Sequence, residues 1–308
     1  MGNGAAHMSL LAGFRWSFSK LEVAASCPFA FKKIYLDGAK PAANPFAQLG
    51  SLCHDLLARF EQGELAVYDL LPAFAKRYPK EVNTEWPAFP LNLEERTCLR
   101  IADYFRTFSG FPFRRILMVE EKLIGTLCGR PFSGIIDLLA EDQDGRIILV
   151  DHKTSSISEY RGRKLQHHKR QLLLYVHLLR QCCHIQVDAI AFNLIKEGQW
   201  LEFPWSELEE SCAVSWALGI MGAVEGLAAV YYEQLAPVKQ QLQNLMMQGR
   251  SSRSIRTELH LSPRRMKRYL LEMDELALIY LEQKATAGDF GCQYICSARS
   301  HCEEGGVS

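Results

Sequence analysis

The segment Ser133–Ser156, SGIIDLLAEDQDGRIILVDHKTSS, constrains the chain more than any other. Two apolar, β-rich runs flank a turn. Each run carries a carboxylate: Asp137 inside GIIDLL, and Asp151, followed by Lys153, at the end of IILVDHK. If Gln143-Asp144-Gly145 is a three-residue hairpin loop, Gly145 supplies the left-handed position such loops need. Asp142 then stands opposite Arg146, and counting back along both strands puts Asp137 opposite Asp151, with Cβ atoms about 4.5–5.5 Å apart. Alternation places Lys153 on the face of Asp151. Two carboxylates that close are tolerable only with a cation between them, and an oxygen-rich site of this kind suits Mg²⁺ or Mn²⁺. A four-residue loop would put the acids on opposite faces. Taken alone, Asp-x-Lys is equally the solvated end of a strand, with Asp137 in an edge ion pair.

The 308 residues leave room for one large domain or two ordinary ones. Hydrophobic residues make up 48% and charged residues 23%, the balance of a globular chain with a core. The formal net charge is +0, so no global basic field points to nucleic acid, and any such surface must be local. No apolar run reaches the length of a membrane span, and no secretory signal is present. MGNGAAHM, residues 1–8, reads as a cloning remnant, and a cytoplasmic location is expected. Ten cysteines in such a chain favour metal or cluster ligation over disulfides. Cys53, Cys98, Cys128, Cys182, Cys183 and Cys212 lie in apolar or helical contexts and read as core fillers.

Periodicity predicts a helix over 17–36, a second over 47–62, a Pro- and Trp-bearing loop, and a helix near 92–108. Strand-like runs follow at 116–127, 131–141 and 146–153, then a basic helix KLQHHKRQLLLYVHLLRQ, then a strand at 187–195. The order gives an α/β chain: helices, an antiparallel meander, a crossover helix and a strand that rejoins the sheet. From 206 to 286 the pattern is helical throughout. The stretch 287–308 is short, polar and cysteine-dense.

Asp137, thirteen intervening residues, then Asp151-His152-Lys153 resembles the signature of the PD-(D/E)XK nucleases. Gly50 to His54 resembles the G-x-x-x-H helix motif of their RecB-like branch, and Gln171 to Tyr175 its Q-x-x-x-Y helix motif; the three occur in that branch's order. The leading SFSKL, followed by Cys27-Pro28 and an aromatic run, is also similar to it. The resemblance covers roughly 15–205 and 287–308. It implies a restriction-endonuclease-like mixed sheet over 9–205 flanked by helices, a helical insertion over 206–286, and metal-dependent cleavage of DNA. It further implies that His54, Asp137, Asp151 and the backbone of His152 hold Mg²⁺ or Mn²⁺, that Lys153 positions the attacking water, and that Gln171 and Tyr175 lie against the strand being cut. Glu121 is a lesser candidate for the same metal. Each motif residue also has a structural alternative: a satisfied helical His54, a half-buried polar pair at Gln171 and Tyr175.

Cys27 near one end, with Cys292, Cys296 and Cys302 at the other, offers four thiolates, which suit structural zinc or an iron–sulfur cluster. The one-plus-three distribution resembles the iron–sulfur nucleases, namely the AddB-type domains and the CRISPR-associated Cas-four type. It implies a 4Fe-4S cap over 287–308 joined to Cys27. This chain keeps the C-x5-C spacing but has C-x3-C where C-x2-C is usual. Such a link would close nearly the whole chain. Arg161, Arg163, Lys164, Lys169 and Arg170 precede and open the Gln171 helix and are expected along the DNA backbone. Residues 250–282 resemble a winged-helix unit, with Arg264, Arg265, Lys267 and Arg268 on its second helix. The resemblance implies an exonuclease on single-stranded DNA ends, with partners in CRISPR adaptation or recombination. A catalytically inactive DNA-binding protein on the same fold and a nuclease subunit of a helicase complex are the alternatives.

Overall fold

The computed structural model describes residues 11, 13–36, 38–40, 45–82, 93–230, 236–263 and 266. Its helices are α1 (Phe18–Ser26), α2 (Pro28–Phe31), α3 (Pro45–Glu61), α4 (Leu70–Glu81), α5 (Leu93–Thr107), α6 (Gly162–Leu178), α7 (Glu207–Val230), α8 (Ala236–Met247) and α9 (Ser252–Glu258). Its strands are β1 (Arg115–Leu127), β2 (Arg130–Glu141), β3 (Ile147–Lys153), β4 (Ala189–Leu194) and β5 (Gln199–Pro204). Packing separates one unit, Arg15–Phe18 with Ala42–Trp216, from the remaining described residues.

The first unit holds a five-stranded sheet in the order β1-β2-β3-β4-β5. Turn chemistry sets its antiparallel half. Cys128 and Gly129, at φ +47° and +81°, form the two-residue connection of the β1–β2 hairpin, the conformation whose twist matches paired strands. The next turn closes as the sequence predicts. Gly145 sits at φ +82°, Asp142 N–H donates to Arg146 C=O at 3.0 Å, and Asp142 Oδ1 accepts from the N–H groups of Asp144 and Arg146. The β2–β3 register therefore runs Glu141↔Ile147 to Leu138↔Val150. β3 and β4 are parallel and joined by α6, and nearly every residue of both is buried. Strands covered on both faces read as continuous apolar runs rather than alternating ones.

Helices α3, α4 and α5 bury a shared core of Leu52, Leu56, Leu57, Leu70, Phe74, Ile101 and Phe105, closed by Ile195 just beyond β4. Helix α6 lies close on the β1–β2 hairpin because two glycines leave room for it. A Cβ at Gly134 would fall 2.2 Å from the Tyr175 ring, and one at Gly125 would fall 2.9 Å from Leu178 Cδ2.

The remaining unit is helical. Phe31 packs edge-on to Phe14 and against Tyr35, with the Lys20 ammonium 4.3 Å from the Phe14 ring centre. Leu242, Ile255, Leu261 and Met266 form a small core for α8 and α9.

Several expectations change. The helix predicted over 17–36 breaks at Cys27-Pro28, since proline cannot donate within a helix and instead starts α2. The segment 70–81, part of the stretch read as a Pro- and Trp-bearing loop, is α4. Pro72 falls in its first turn, where no intrahelical N–H is needed. Strand β5 was not anticipated; it is an edge strand with four of its six residues exposed. The helical stretch expected over 206–286 contains α7, α8 and α9 among the described residues. Cys128, Cys182 and Cys212 are exposed rather than core fillers, whereas Cys53 is buried. Cys292, Cys296 and Cys302, and the arginines and lysine at 264, 265, 267 and 268, lie outside the described residues.

Candidate active site

The β2–β3 ladder ends at Leu138↔Val150, and the next residue along each strand is Asp137 or Asp151. There the strands are linked by a side chain: the His152 N–H donates to Asp137 Oδ2 at 2.7 Å. Both carboxylates are shielded, with side chains 9% and 3% exposed. Helix α3 brings His54 onto Asp137, Nδ1 to Oδ2 at 3.3 Å. Strand β1 adds Glu120, whose Oε1 is 3.9 Å from the same imidazole nitrogen. Ligand atoms of His54, Glu120 and Asp137 all lie within 4.8 Å of one another, so the three could hold a metal ion.

Glu120, not Glu121, is the acid at this site. A register shift between Ile116 and Met118 moves the β1–β2 pairing by one residue. With Val119↔Leu138 and Glu121↔Ile136 on either side, Glu120 falls opposite Asp137. Its backbone takes φ +50°, a conformation rare for a residue bearing a Cβ. A count by twos from the start of the strand is out of step beyond the bulge, so the sequence holds no signal for choosing between the two neighbours.

Lys153 completes the set. Its ammonium lies 2.8 Å from Asp151 Oδ2 and donates to Gln171 Oε1 at 2.9 Å, and Gln171 Nε2 lies 3.4 Å from the Tyr175 hydroxyl. The lysine donor fixes which end of the Gln171 amide faces it. Asp151 Oδ2 is buried, and the Lys153 ammonium at 2.8 Å is its partner. An ionised carboxylate has about four lone-pair sites, so one ammonium leaves Asp151 further capacity to accept a donor or a cation.

The electrostatics follow from this crowding. Burial raises the Asp151 carboxyl to about 6, and the Asp137 charge adds to the shift against the Lys153 ammonium. Asp137 goes the other way. Burial raises it, but the His54 charge and hydrogen bond outweigh burial and hold it well below the usual carboxylate range. Two like charges in one site thus separate into an easily ionised and a reluctant member. Burial lowers Lys153, but Asp151 and Asp137 more than offset it, so the ammonium stays charged. His54 is likewise raised: burial lowers it, and Asp137 overcomes that.

His152 contributes its backbone rather than its ring. The imidazole is buried, stacks on Phe111 with centroids 5.7 Å apart, and sits 3.1 Å from the Asn193 amide nitrogen through Nδ1. Burial lowers it to about 4, so Nδ1 accepts from Asn193, which also donates to the Tyr104 hydroxyl.

His54 and Glu120 open onto a cleft of about 600 Å³, also lined by Gly50, Ser51, Asp55, Arg59 and Gln62. Of the residues expected along DNA, Gln171 and Tyr175 stand at the site. Lys169 is buried, paired with Glu209 and set over the Phe203 ring, and Arg170 stacks over Trp216 at 4.8 Å. Lys164 pairs with Glu159 at 2.8 Å. Cys27 is half-buried.

The sequence model of the PD-(D/E)XK nuclease superfamily matches residues 15–303. The chain belongs to that superfamily. Its mixed sheet flanked by helices and its acid–acid–lysine cluster are consistent with membership, and superfamily nucleases usually use divalent metals. Among solved structures, the chain is similar to that of a "putative exonuclease" from Eubacterium rectale. The identity is 14%, over 73% of this chain and 85% of that one, with a TM-score of 0.42. None of the curated proteins matches. Among the described residues, no helix is long and apolar enough to cross a membrane.

Proposed function

We propose that this PD-(D/E)XK chain is a metal-dependent deoxyribonuclease acting as an exonuclease on single-stranded DNA ends. The observation that carries the reading is the joint placement of Asp137, Asp151 and Lys153, with both carboxylates shielded and the ammonium 2.8 Å from Asp151 Oδ2. The donor set of His54, Glu120, Asp137 and Asp151, three carboxylates and one imidazole, suits Mg²⁺ or Mn²⁺. When bound, such an ion polarises the phosphoryl oxygen and eases ionisation of the attacking water.

The chain's own residues supply the rest. Lys153, kept protonated between Asp151 and Gln171, is a hydrogen-bond donor for the water and for charge developing on the phosphate. Gln171 and Tyr175 hold that ammonium in place and line the path of the scissile strand, with Arg170 beside them on α6. Lys169 serves instead to pack α6 through Glu209. We further propose that Cys27, Cys292, Cys296 and Cys302 hold a 4Fe-4S cluster with a structural role, and that the enzyme works in CRISPR adaptation or recombination. The motif order and cysteine spacing support these two points.

The test compares wild type with Lys153→Ala on end-labelled single- and double-stranded DNA, with Mg²⁺ or Mn²⁺ and with chelator. Wild type should shorten single strands from an end only with metal, and the variant should lose at least a hundredfold in rate. Equal inertness of both under anaerobic conditions would sink the nuclease reading in favour of a DNA-binding protein. Iron and sulfide content of anaerobically purified protein, against Cys296→Ala, checks the cluster.

A further inference from the structure

Strands β3 and β4 run parallel and end in register, Lys153 beside Leu194. Ligands of parallel sheets collect beyond the carboxyl ends of the strands, where the two exit loops diverge. Here the loop Thr154–Ser156 leaves β3, and the helical turn Ile195–Glu197 leaves β4. Lys196, on that turn, donates to Ser156 Oγ at 2.9 Å.

Lys196 is distinguished by what it lacks. It is half-buried, yet among the described residues no carboxylate lies within ion-pairing distance of its ammonium. The acid next to it, Glu197, is taken by Arg100 at 3.0 Å. Other cations of the same unit are matched: Arg77 by Asp55 and Glu81, Arg146 by Asp142 and Glu202, Arg180 by Glu210. A partly desolvated ammonium whose partner is a neutral hydroxyl retains an unmet demand for an anion. Burial accordingly lowers the Lys196 pKa.

The position also fits. Ile195 is buried in the core that contains Leu49, Leu52 and Cys53 of α3, so the turn is anchored against the helix that carries His54. A Cβ on Gly50 would touch Thr154 Oγ1 at 3.8 Å, which sets the loop hydroxyls against the same helix. Ser156 is three positions beyond Lys153, a span of at most about 10 Å.

We propose that Lys196, with the hydroxyl of Ser156, is a phosphate-binding subsite for the DNA backbone next to the scissile phosphodiester. This rests on the nuclease reading above and extends it to the seat of a neighbouring phosphate. The subsite takes a phosphate oxygen without regard to base, so it contributes affinity and register rather than sequence preference.

The test is steady-state cleavage of a single-stranded oligonucleotide by wild type, Lys196→Gln, Lys196→Arg and Ser156→Ala across a range of salt. Lys196→Gln should raise KM about tenfold, with a smaller change in kcat. Its plot of log kcat/KM against log salt should be shallower by about 0.7, the value of one single-strand phosphate contact. Lys196→Arg should restore the slope, and Ser156→Ala should fall between. Substrates with a 5′-phosphate or a 5′-hydroxyl then distinguish sources. An effect on both places an internal phosphodiester at Lys196, and an effect confined to the phosphorylated end places the terminal phosphate there. An active wild type whose salt slope equals that of Lys196→Gln overturns this inference alone. A wild type that neither cleaves nor binds DNA overturns the nuclease reading, and this inference with it.

Discussion

Gln171 Oε1 accepts the Lys153 ammonium at 2.9 Å, so the glutamine of the helix motif reaches the lysine of the strand motif directly. Two sequence signals eighteen residues apart converge on one amine. The relationship recasts Gln171: beside any contact with substrate, it sets where the Lys153 donor points.

Removing that acceptor should therefore act through Lys153. Gln171→Leu keeps the size but not the oxygen, leaving the ammonium on Asp151 alone. Loss of one positioning contact in an active site is worth about 10–100-fold. The expected outcome is a fall of that size in kcat for DNA cleavage with KM changed less than threefold, and with thermal stability near wild type. Gln171→Glu should recover part of the rate, because it restores an acceptor. A change confined to KM would show that Gln171 touches only substrate.

Gly134 is the second point of leverage. It lies three residues before Asp137, and a methyl group there would stand 2.2 Å from the buried Tyr175 ring. The ring cannot move aside without disturbing α6 and, through Gln171, Lys153. Overpacking of this kind costs about 1–3 kcal/mol. Gly134→Ala should lower Tm by several degrees and reduce cleavage, whereas Gly134→Ala combined with Tyr175→Phe should not recover stability, because the clash is with the ring and not the hydroxyl. Thermal melts of the three proteins check this.

Metal binding should be visible without any DNA. An ion that binds the folded chain and not the unfolded one raises Tm with concentration. Mn²⁺ should stabilise wild type, and Asp137→Asn should lose most of that gain. Glu120→Gln should lose part of it, since Glu120 is half-exposed and reaches the site from an adjacent strand. Glu121→Gln should behave as wild type. Calorimetric titration of Mn²⁺ into each protein reads the same order.

What the sequence made legible divides along physical lines. The β2–β3 hairpin was readable because Gly145 and Asp142 set its loop locally, and the loop fixes the register of both strands. From that register follows the placing of Asp137, Asp151 and Lys153. Glu120 was not readable, because a bulge near residue 117 and a left-handed residue in mid-strand leave no mark in composition. Helix α4 carries two prolines, Pro72 in its first turn and Pro79 near its end, and its buried Leu70 and Phe74 join the α3–α5 core. Lys169 looked like a DNA contact in a basic run. Tertiary packing turned it inward to Glu209, a residue forty positions away.

The junction of α6 with α7 gives a prediction about acid stability that is separate from catalysis. Glu210 is buried, with its side chain 3% exposed, and meets His177 at 2.9 Å, Trp205 Nε1 at 2.9 Å and the Arg180 guanidinium. Burial raises its pKa, but the bonds from His177 and Trp205 and the Arg180 charge outweigh burial, and the net shift is downward. A carboxyl whose folded pKa is depressed stabilises the fold above its unfolded value and loses that contribution as pH falls through the folded one. The loss should thus appear below the ordinary glutamate value of 4.5. Glu210→Gln removes the charge while keeping the shape, and should cost about 2 kcal/mol at neutral pH, the scale of a hydrogen bond to a charged group. Its unfolding free energy should converge on that of wild type as pH falls from 4.5 through the lower folded pKa, below which wild type is protonated as well. Urea unfolding of the two proteins between neutral pH and pH about 3.5 measures the difference directly. A gap that stays constant across that range would show that Glu210 acts through packing alone and not through its charge.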